Sequence, residues 1–530
     1  MSTAAGESRP PARSVGRAAT GMGITIAVSR VFGFVRVLVI AAVLGTTYLG
    51  NAFQSANLVS NVLFELIAAG ALSAVLVPTF ARLFDAGEQF EVERLSGALL
   101  GLAAVVLGSL SICGILLAPW LSELLTLGVP AGPVHDAQVE LTTFLLRFFV
   151  PQVLLYAFGA IAIAVLNARR EFVVPAAAPI ANTVVMVGFL GLFSIAAGAA
   201  PGLDLALGPR LLLAAAGTLG VFAYVAVPVI ALWRDGVRPR IHVPRRDPKV
   251  VQVLRLSGWA TVLHMGTGLL LGGALVVGNG VAGGSVAYNV AFVFFLAPFA
   301  VFAQPVMTAI LPELANEVTT LDTYARSMRW ALDTVAIWIV PISALIVALA
   351  HPTMEVVSFG EATDGVGLLA AGLASLAVGL FTYSAFLLLA RGFYAFDNSR
   401  IPALTSLSTA VAGVIAMVVA APFTEGAARV AALGFAHSGA MTLAAIVLFI
   451  ALWRRVGHSL VPAALLRSAG FGLPIAVLAW AAMRAIDPDG RVATLLTLAI
   501  VSAVAAALYL AAVRFSGGFP KRVLATGAST

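Results

Sequence analysis

SRVFGFVRVLVIAAVLGTTYLGNAFQSANLVSNVLFELIAAG, residues 29–70, decides how the rest of the chain is read. It holds two long apolar segments joined by a short turn over 45–50. Arg30 and Arg36 fall in the first segment, and Glu65 lies well inside the second. An ionisable group in hydrocarbon is costly unless paired or hydrated, so all three are candidate functional residues. The stretch predicts two membrane-crossing helices and a polar cavity between two lobes.

The composition agrees. Of 530 residues, 61% are hydrophobic and 10% charged, against roughly 25% charged in soluble domains. Apolar runs long enough to cross ~30 Å of hydrocarbon recur almost to the end, and alternating strand signals of ~10 residues are absent. The expected fold class is an all-α polytopic membrane protein rather than a barrel. A single cysteine, Cys113, excludes an intrachain disulfide, and there is no CxxC pattern. The net charge of +7 could suit nucleic acid, but the basic residues sit in short connections between apolar runs. That placement suits a membrane surface instead.

Residues 1–20 read as a disordered cytoplasmic tail, because the first apolar run carries two arginines and is too long for a signal-peptide core. About fourteen spans follow. They fall near 22–45, 52–82, 96–123, 137–166, 173–198, 208–233, 250–278, 283–312, 325–350, 364–390, 398–421, 427–453, 466–486 and 492–514. With the first end inside, inner connections and tails hold 23 of the 31 Lys and Arg residues and outer connections hold 4. The remaining four, Arg30, Arg36, Arg147 and Arg255, fall within spans. This bias places both ends in the cytoplasm.

The richest inner connection is WRDGVRPRIHVPRRDPK, residues 233–249. It reads equally as a hinge between halves and as a basic loop held at anionic lipid. An internal repeat supports two halves. LSAVLVPTFARL (72–83) matches VMTAILPELANE (306–317), and LNARREFVVPA (166–176) matches FYAFDNSRIPA (393–403). These pair Pro78 with Pro312 and Pro175 with Pro402, at offsets of 234 and 227 residues. The expected organisation is an N-lobe over 21–233, a linker over 234–249, and a C-lobe over 250–455. Two further helices lie within 456–515, and a cytoplasmic tail covers 516–530.

The opening SRVFGFVRVLVIAAVLG with its turn to NAF, and GALSAVLVPTFARLF, resemble the start of the MurJ/MviN family of lipid II flippases. AVLNARREFVVPAAAPIAN (164–182), TAILPEL (308–314) and GFYAFDNSRIP (392–402) are similar to its later signatures. The resemblance covers roughly residues 20–515. It implies two six-helix lobes in a V and two extra C-terminal helices that form a lipid-facing groove. It also implies alternating access and export of a lipid-linked anionic saccharide, with membrane lipids and cell-wall synthesis proteins as further partners. The family's two first-span arginines match Arg30 and Arg36, with Ser29 before the first. Its usual acid after the first turn is Asn51 here, and its usual cations near Phe64 and Val293 are replaced. Its acid before the second-span glycine is Ala69. The cavity expected is thus less cationic than the family's.

A lipid-linked diphosphate sugar suits arginine, whose planar fork bonds bidentately and stays charged. The expected substrate-binding residues are Arg30, Arg36, Glu65, Asn51, Ser29 and Asn289. Against this, Glu65 and Arg30 could form a locking pair, and Arg36 could snorkel to the interface. Asn57, Asn289 and Gln304 suit sugar hydroxyls or interhelical hydrogen bonds equally. His264 and His437 read as packing histidines before a proton relay, and Asp397 with Asn398 as a helix cap before a cation site.

No cofactor or metal is expected. There is no GxxxxGK[ST] phosphate loop, HExxH or GxSxG, and the six histidines are scattered. If transport is driven, the membrane potential supplies ~2.3 kcal/mol per charge per 100 mV. A polytopic glycosyltransferase would need an acidic pair on a sizeable outer loop, and HPTMEVVSFGEATDG (351–365) is the only acidic stretch of note. The reading is a transporter and not an enzyme. It carries lipid II, or else another polyprenyl-linked saccharide or a small molecule.

Overall fold

The computed structural model describes residues 12–71, 76–243 and 248–517. Side-chain surroundings are described from Thr25 onward, apart from residues 64–71, 248–258 and 260. The described residues are helical, with no strand among them.

The first half comprises α1 (Ala12–Leu44), α2 (Tyr48–Ala71), α3 (Val77–Asp85), α4 (Gln89–Leu116) and α5 (Ala118–Leu125). It continues with α6 (Pro133–Phe149), α7 (Gln152–Ala168), α8 (Val173–Ala197) and α9 (Leu207–Arg234). The second half begins with α10 (Pro248–Gly278), α11 (Gly284–Pro298), a π-helical turn (Phe299–Ala303) and α12 (Gln304–Asn316). It continues with α13 (Leu321–Val357), a 3-10 turn (Gly360–Gly365), α14 (Val366–Ala377) and α15 (Leu380–Ala395). It ends with α16 (Arg400–Ala420) and α17 (Gly426–Val456), and α18 (Ala463–Ile486) and α19 (Arg491–Phe515) follow.

Twelve stretches among the described residues are long and apolar enough to cross a membrane, and the bent pair α14–α15 makes a thirteenth. α2 occupies the place of the second expected span. Several spans that read as single apolar runs are broken. Only Leu117 separates α4 from α5, whose second residue is Pro119; Pro151 separates α6 from α7, and a 45° bend at Gly379 separates α14 from α15. Proline supplies no N–H for the preceding turn, so the helix restarts at Pro119 and Pro151, whereas the third break falls at a glycine.

Helix extends beyond the expected limits at two further places. Within the expected tail over 1–20, the described residues from Ala12 onward are helical and run straight into the first span. The acidic stretch 351–365 is mostly not a loop. α13 continues through it to Val357, with non-helical geometry at Leu349 just before His351–Pro352.

The repeat is visible in the backbone. After α7, Arg170 takes a left-handed conformation (φ 65) and the Glu171 N–H donates to the Leu166 carbonyl. After α15, Asp397 does the same (φ 55), and the Asn398 N–H donates to the Phe393 carbonyl. In each case the next helix starts three residues after the left-handed one, with proline as its third residue. This is the same Schellman-type turn in both halves, offset by the 227 residues that separate the matched prolines. Asn398 also accepts a hydrogen bond from the Ile401 N–H at 3.2 Å, so it caps α16.

Three cores hold the halves together. Ile40, Leu44, Phe53, Leu145, Phe149 and Phe193 form one in the N-lobe. Phe80, Leu95 and Val165 lead a second. The C-lobe core gathers α11–α17 around Tyr288, Phe295, Tyr324, Met328 and Phe393. α1 is a wedge between lobes, because its Val37 and Ala41 join the C-lobe core while Ile40 and Leu44 join the N-lobe core. The connection after α9 runs along α4: the His242 N–H donates to the Gly97 carbonyl, and the Arg238 N–H to Glu93.

Candidate functional site

The two faces of α1 settle where its arginines go. Arg30, Phe34, Val37 and Ala41 follow i, i+4, i+7, i+11 spacing and share the face turned to the C-lobe. Phe34 packs on Phe294 of α11 with ring centroids 4.3 Å apart. The Arg30 Nη2–H donates to Gln304 Oε1 of α12 at 3.1 Å. Arg36 lies six residues on, roughly 240° around the axis at ~100° per residue. It shares a face with Ile40 and Leu44 and turns into the N-lobe, within electrostatic reach of Tyr156. The two cations therefore serve different spaces rather than one paired site. Arg30 stands at the seam between lobes, and Arg36 stands among α7 and α9, where Tyr156 packs on Tyr224.

Arg30 is exposed, Ser29 beside it is 9% exposed, and Arg36 is half-buried. Neither arginine forms an ion pair among the described residues. The Glu65 side chain lies outside the described residues, so only its place in α2 is given. The same holds for Arg255 in α10. Asn289 is half-buried on α11, three residues after Val286 and five before Phe294, both of which meet the N-lobe. Arg147 is exposed in the last turn of α6.

Asn51, expected among the substrate-binding residues, has its side chain engaged across the seam between halves. It is fully buried at the α1–α2 turn. Its Nδ2–H donates to the Val281 carbonyl at 2.8 Å, and its Oδ1 accepts from the Ser285 N–H at 3.1 Å. A ligand would have to displace backbone partners that have no substitute inside a dry interface.

Reading from sequence missed most of the seam around Asn51. Asn279, also fully buried, donates to Ser55 Oγ at 2.8 Å and to the Leu125 carbonyl at 2.7 Å, and accepts from Ser285 Oγ at 2.7 Å. The Ala200 N–H donates to Glu361 Oε1 at 3.3 Å. Gly283, at φ +71, presses on Thr46 so closely that a Cβ would sit 2.2 Å from the Thr46 carbonyl carbon. The only signal for Asn279 was its Asn-Gly step, which reads as a turn. Apart from the Asn279–Ser285 bond, which lies within the second half, these contacts join the halves at the end of the molecule that carries the α1–α2 turn.

His437 is a buried packing residue. Its Nδ1 lies 2.6 Å from the Tyr288 hydroxyl, among the rings of Phe292 and Phe295. No group of three or more metal-ligating side chains occurs among the described residues.

What this arrangement can do is specific. A cation with a neutral partner, on the interlobe face of a wedge helix, can exchange Gln304 for a stronger anionic acceptor as the lobes part. Two solved structures share the architecture. One, described as "Lipid II flippase MurJ, inward closed conformation", gives a TM-score of 0.72 at 17% identity, over 93% of this chain and 99% of that one. An inward-facing multidrug-resistance MATE family transporter of the MOP superfamily gives 0.63 at 15%, over 83% and 98%. These likenesses show the fold. In sequence, the probable lipid II flippase MurJ of Rhizobium tropici is 28% identical over 440 residues, 81% of this chain and 79% of that protein. The lipid II flippase MurJ of Burkholderia cenocepacia is 26% identical over 450 residues, 82% and 83% respectively. The family described as "Lipid II flippase MurJ" matches residues 40–516. A match of that extent makes this multi-pass membrane protein a member of the lipid II flippase MurJ family.

Proposed function

We propose that this chain is a transporter that flips lipid II, the lipid-linked peptidoglycan precursor, across the cytoplasmic membrane by alternating access. One observation carries the reading: Arg30 stands on the interlobe face of α1 with neutral Gln304 as its described partner. A guanidinium kept within a span without a described counter-charge is suited to an anion that comes and goes, and the diphosphate of such a precursor is one. Ser29 and Asn289 are proposed as supporting contacts at the seam, Arg36 as a separate contact on the N-lobe side, and Glu65 as the acid that competes with the cargo for these cations.

The distribution of Lys and Arg supports cytoplasmic ends. In that orientation the α1–α2 turn is at the outer face, and the Asn51–Asn279–Ser285 seam closes that side. Lobe boundaries at 21–233 and 250–455, with the 234–249 connection between them, are proposed on the same footing. Opening outward then requires these hydrogen bonds to break together while the lobes rock about the cargo site.

The test is translocation in reconstituted vesicles, read as outer-face accessibility of labelled precursor. Arg30→Ala is expected to reduce the rate ten- to a hundredfold, the equivalent of ~1.5–3 kcal/mol for a lost charge-assisted bond. Arg30→Lys should retain part of it. Wild-type rates in Arg30→Ala would overturn the assignment. Transport of a different polyprenyl-linked saccharide in preference to lipid II would replace the cargo and leave the mechanism standing.

A further inference from the structure

α13, α18 and α19 meet around a polar cavity of about 520 Å³ far from the Arg30 seam, lined by His351, Glu355, Trp480, Arg484, Asp487 and Thr494 among others. Its shape follows from local breaks in helical geometry. α13 loses helical angles at Leu349 (φ −110, ψ 16), in the turn where Pro352 lacks the N–H that would bond the Ala348 carbonyl. The last turn of α13 is therefore kinked relative to the helix before it, and His351, Pro352 and Glu355 from that turn line the cavity. On the opposite wall, α18 ends at Ile486 and Asp487 turns left-handed (φ 42), with its N–H returned to the Met483 carbonyl. The third side is tied by Arg491 at the start of α19, whose Nη2–H donates to the Ser358 carbonyl just past α13.

The charges in this cavity are unusual in being uncommitted. Arg484 lies over the Trp480 ring, 5.3 Å from its centroid, so an aromatic face steadies the guanidinium. Among the described residues, none of Arg484, Glu355, Asp487 and His351 forms an ion pair. One fixed cation and two carboxylates share a space large enough for a ligand of both signs.

Depth identifies the kind of ligand. Deeper along the same three helices lies an apolar cavity of about 190 Å³, lined by Pro341, Leu345, Ile475, Ala476, Ala505 and Tyr509 among others. Leu349, Ala479, Met483 and Val501 pack between the two cavities. From Asp487 back to Ala476 is eleven residues of helix, roughly 16 Å at 1.5 Å per residue. That is about half of the ~30 Å hydrocarbon core, or one leaflet. A polar cavity at the helix ends and an apolar one near the midplane together match a single membrane lipid.

We propose that the α13–α18–α19 cavity binds the headgroup of an amine-bearing phospholipid. Its phosphate would sit on Arg484, its ammonium between Glu355 and Asp487, and one acyl chain along the groove below. The lipid would fasten the two terminal helices to α13, independently of what the lobes transport.

The test is native mass spectrometry of the full chain in detergent with phosphatidylethanolamine, phosphatidylglycerol, free phosphoethanolamine and inorganic phosphate as separate probes. Wild type should retain phosphatidylethanolamine at least tenfold better than phosphatidylglycerol and should not retain either free phosphate compound. Arg484→Gln should lose most retention of both lipids, and Arg484→Lys should restore part of it. Glu355→Gln with Asp487→Asn should erase the preference for the amine while leaving phosphatidylglycerol bound. Melting temperature, measured on each variant, identifies any that fails to fold. Equal lipid retention in wild type and a folded Arg484→Gln variant would overturn the proposal. So would retention of inorganic phosphate or phosphoethanolamine without lipid.

Discussion

At the scale of single residues, Gln304 sets how readily Arg30 is released. A neutral amide holds a guanidinium through one bond at 3.1 Å, whereas a carboxylate there would hold it as an ion pair. At ~4 Å and an effective dielectric of ~20 such a pair is worth about 4 kcal/mol before desolvation. Gln304→Glu should therefore slow precursor translocation more than Gln304→Ala does, because the new acid competes with the cargo's phosphates. Parallel vesicle assays of the two variants check this, and equal rates would separate Arg30 from cargo binding. Asn51 shows why residue roles were only half legible from sequence. A polar side chain just after a turn could bind sugar or clasp a neighbour, and its partners, Val281 and Ser285, lie more than 200 residues away in the chain. Arg30's place inside a span was legible because charge within an apolar run is informative without any partner.

At the scale of elements, the seam at the α1–α2 turn depends on backbones meeting without side chains between them. Gly283→Ala would place a methyl 2.2 Å from the Thr46 backbone and impose a left-handed conformation on an L-residue, which costs ~1–2 kcal/mol by itself. The seam should loosen. In a Cys113→Ser background carrying Thr46→Cys, a water-soluble thiol reagent should label the seam faster when Gly283→Ala is added, and an unchanged rate would show that closure does not depend on this contact. Asn51→Ala should act the same way by removing two bonds worth ~1 kcal/mol each. The positions of the helices were readable, since ~20 apolar residues is a membrane requirement. Their breaks were not. α4–α5, α6–α7 and α11–α12 read as continuous runs because packed neighbours can satisfy an interrupted backbone at depth, which leaves composition unchanged.

At the scale of the whole molecule, the lobes touch directly along α2 and α10. A Cβ built on Gly268 lies 4.0 Å from the Val62 Cβ, within the 3.5–4.5 Å range of disulfides. Val62→Cys with Gly268→Cys, in a Cys113→Ser background, should oxidise readily, and the oxidised protein should stop translocating until reductant is added. Full activity of the cross-linked form would show that the lobes need not part at this level. The two-lobe plan was visible in sequence through the proline pairs, and the matching turns at Arg170 and Asp397 give those pairs a backbone basis. The way the lobes close was not visible, because closure is built from pairs such as Asn279 with Leu125 that no local pattern marks.

The π-helical turn at Phe299–Ala303 has a genetic consequence. Such a turn absorbs a surplus residue, so the helix before it and the helix after it keep their own facing. Dropping Val301, which is 63% exposed, should let the wide turn relax to an ordinary one with Met307, Ile310 and Leu314 still aimed at the core. Dropping Ala291 instead would swing everything beyond it by ~100°. Of all one-codon deletions in this span, those within the wide turn should be the ones a growing cell tolerates.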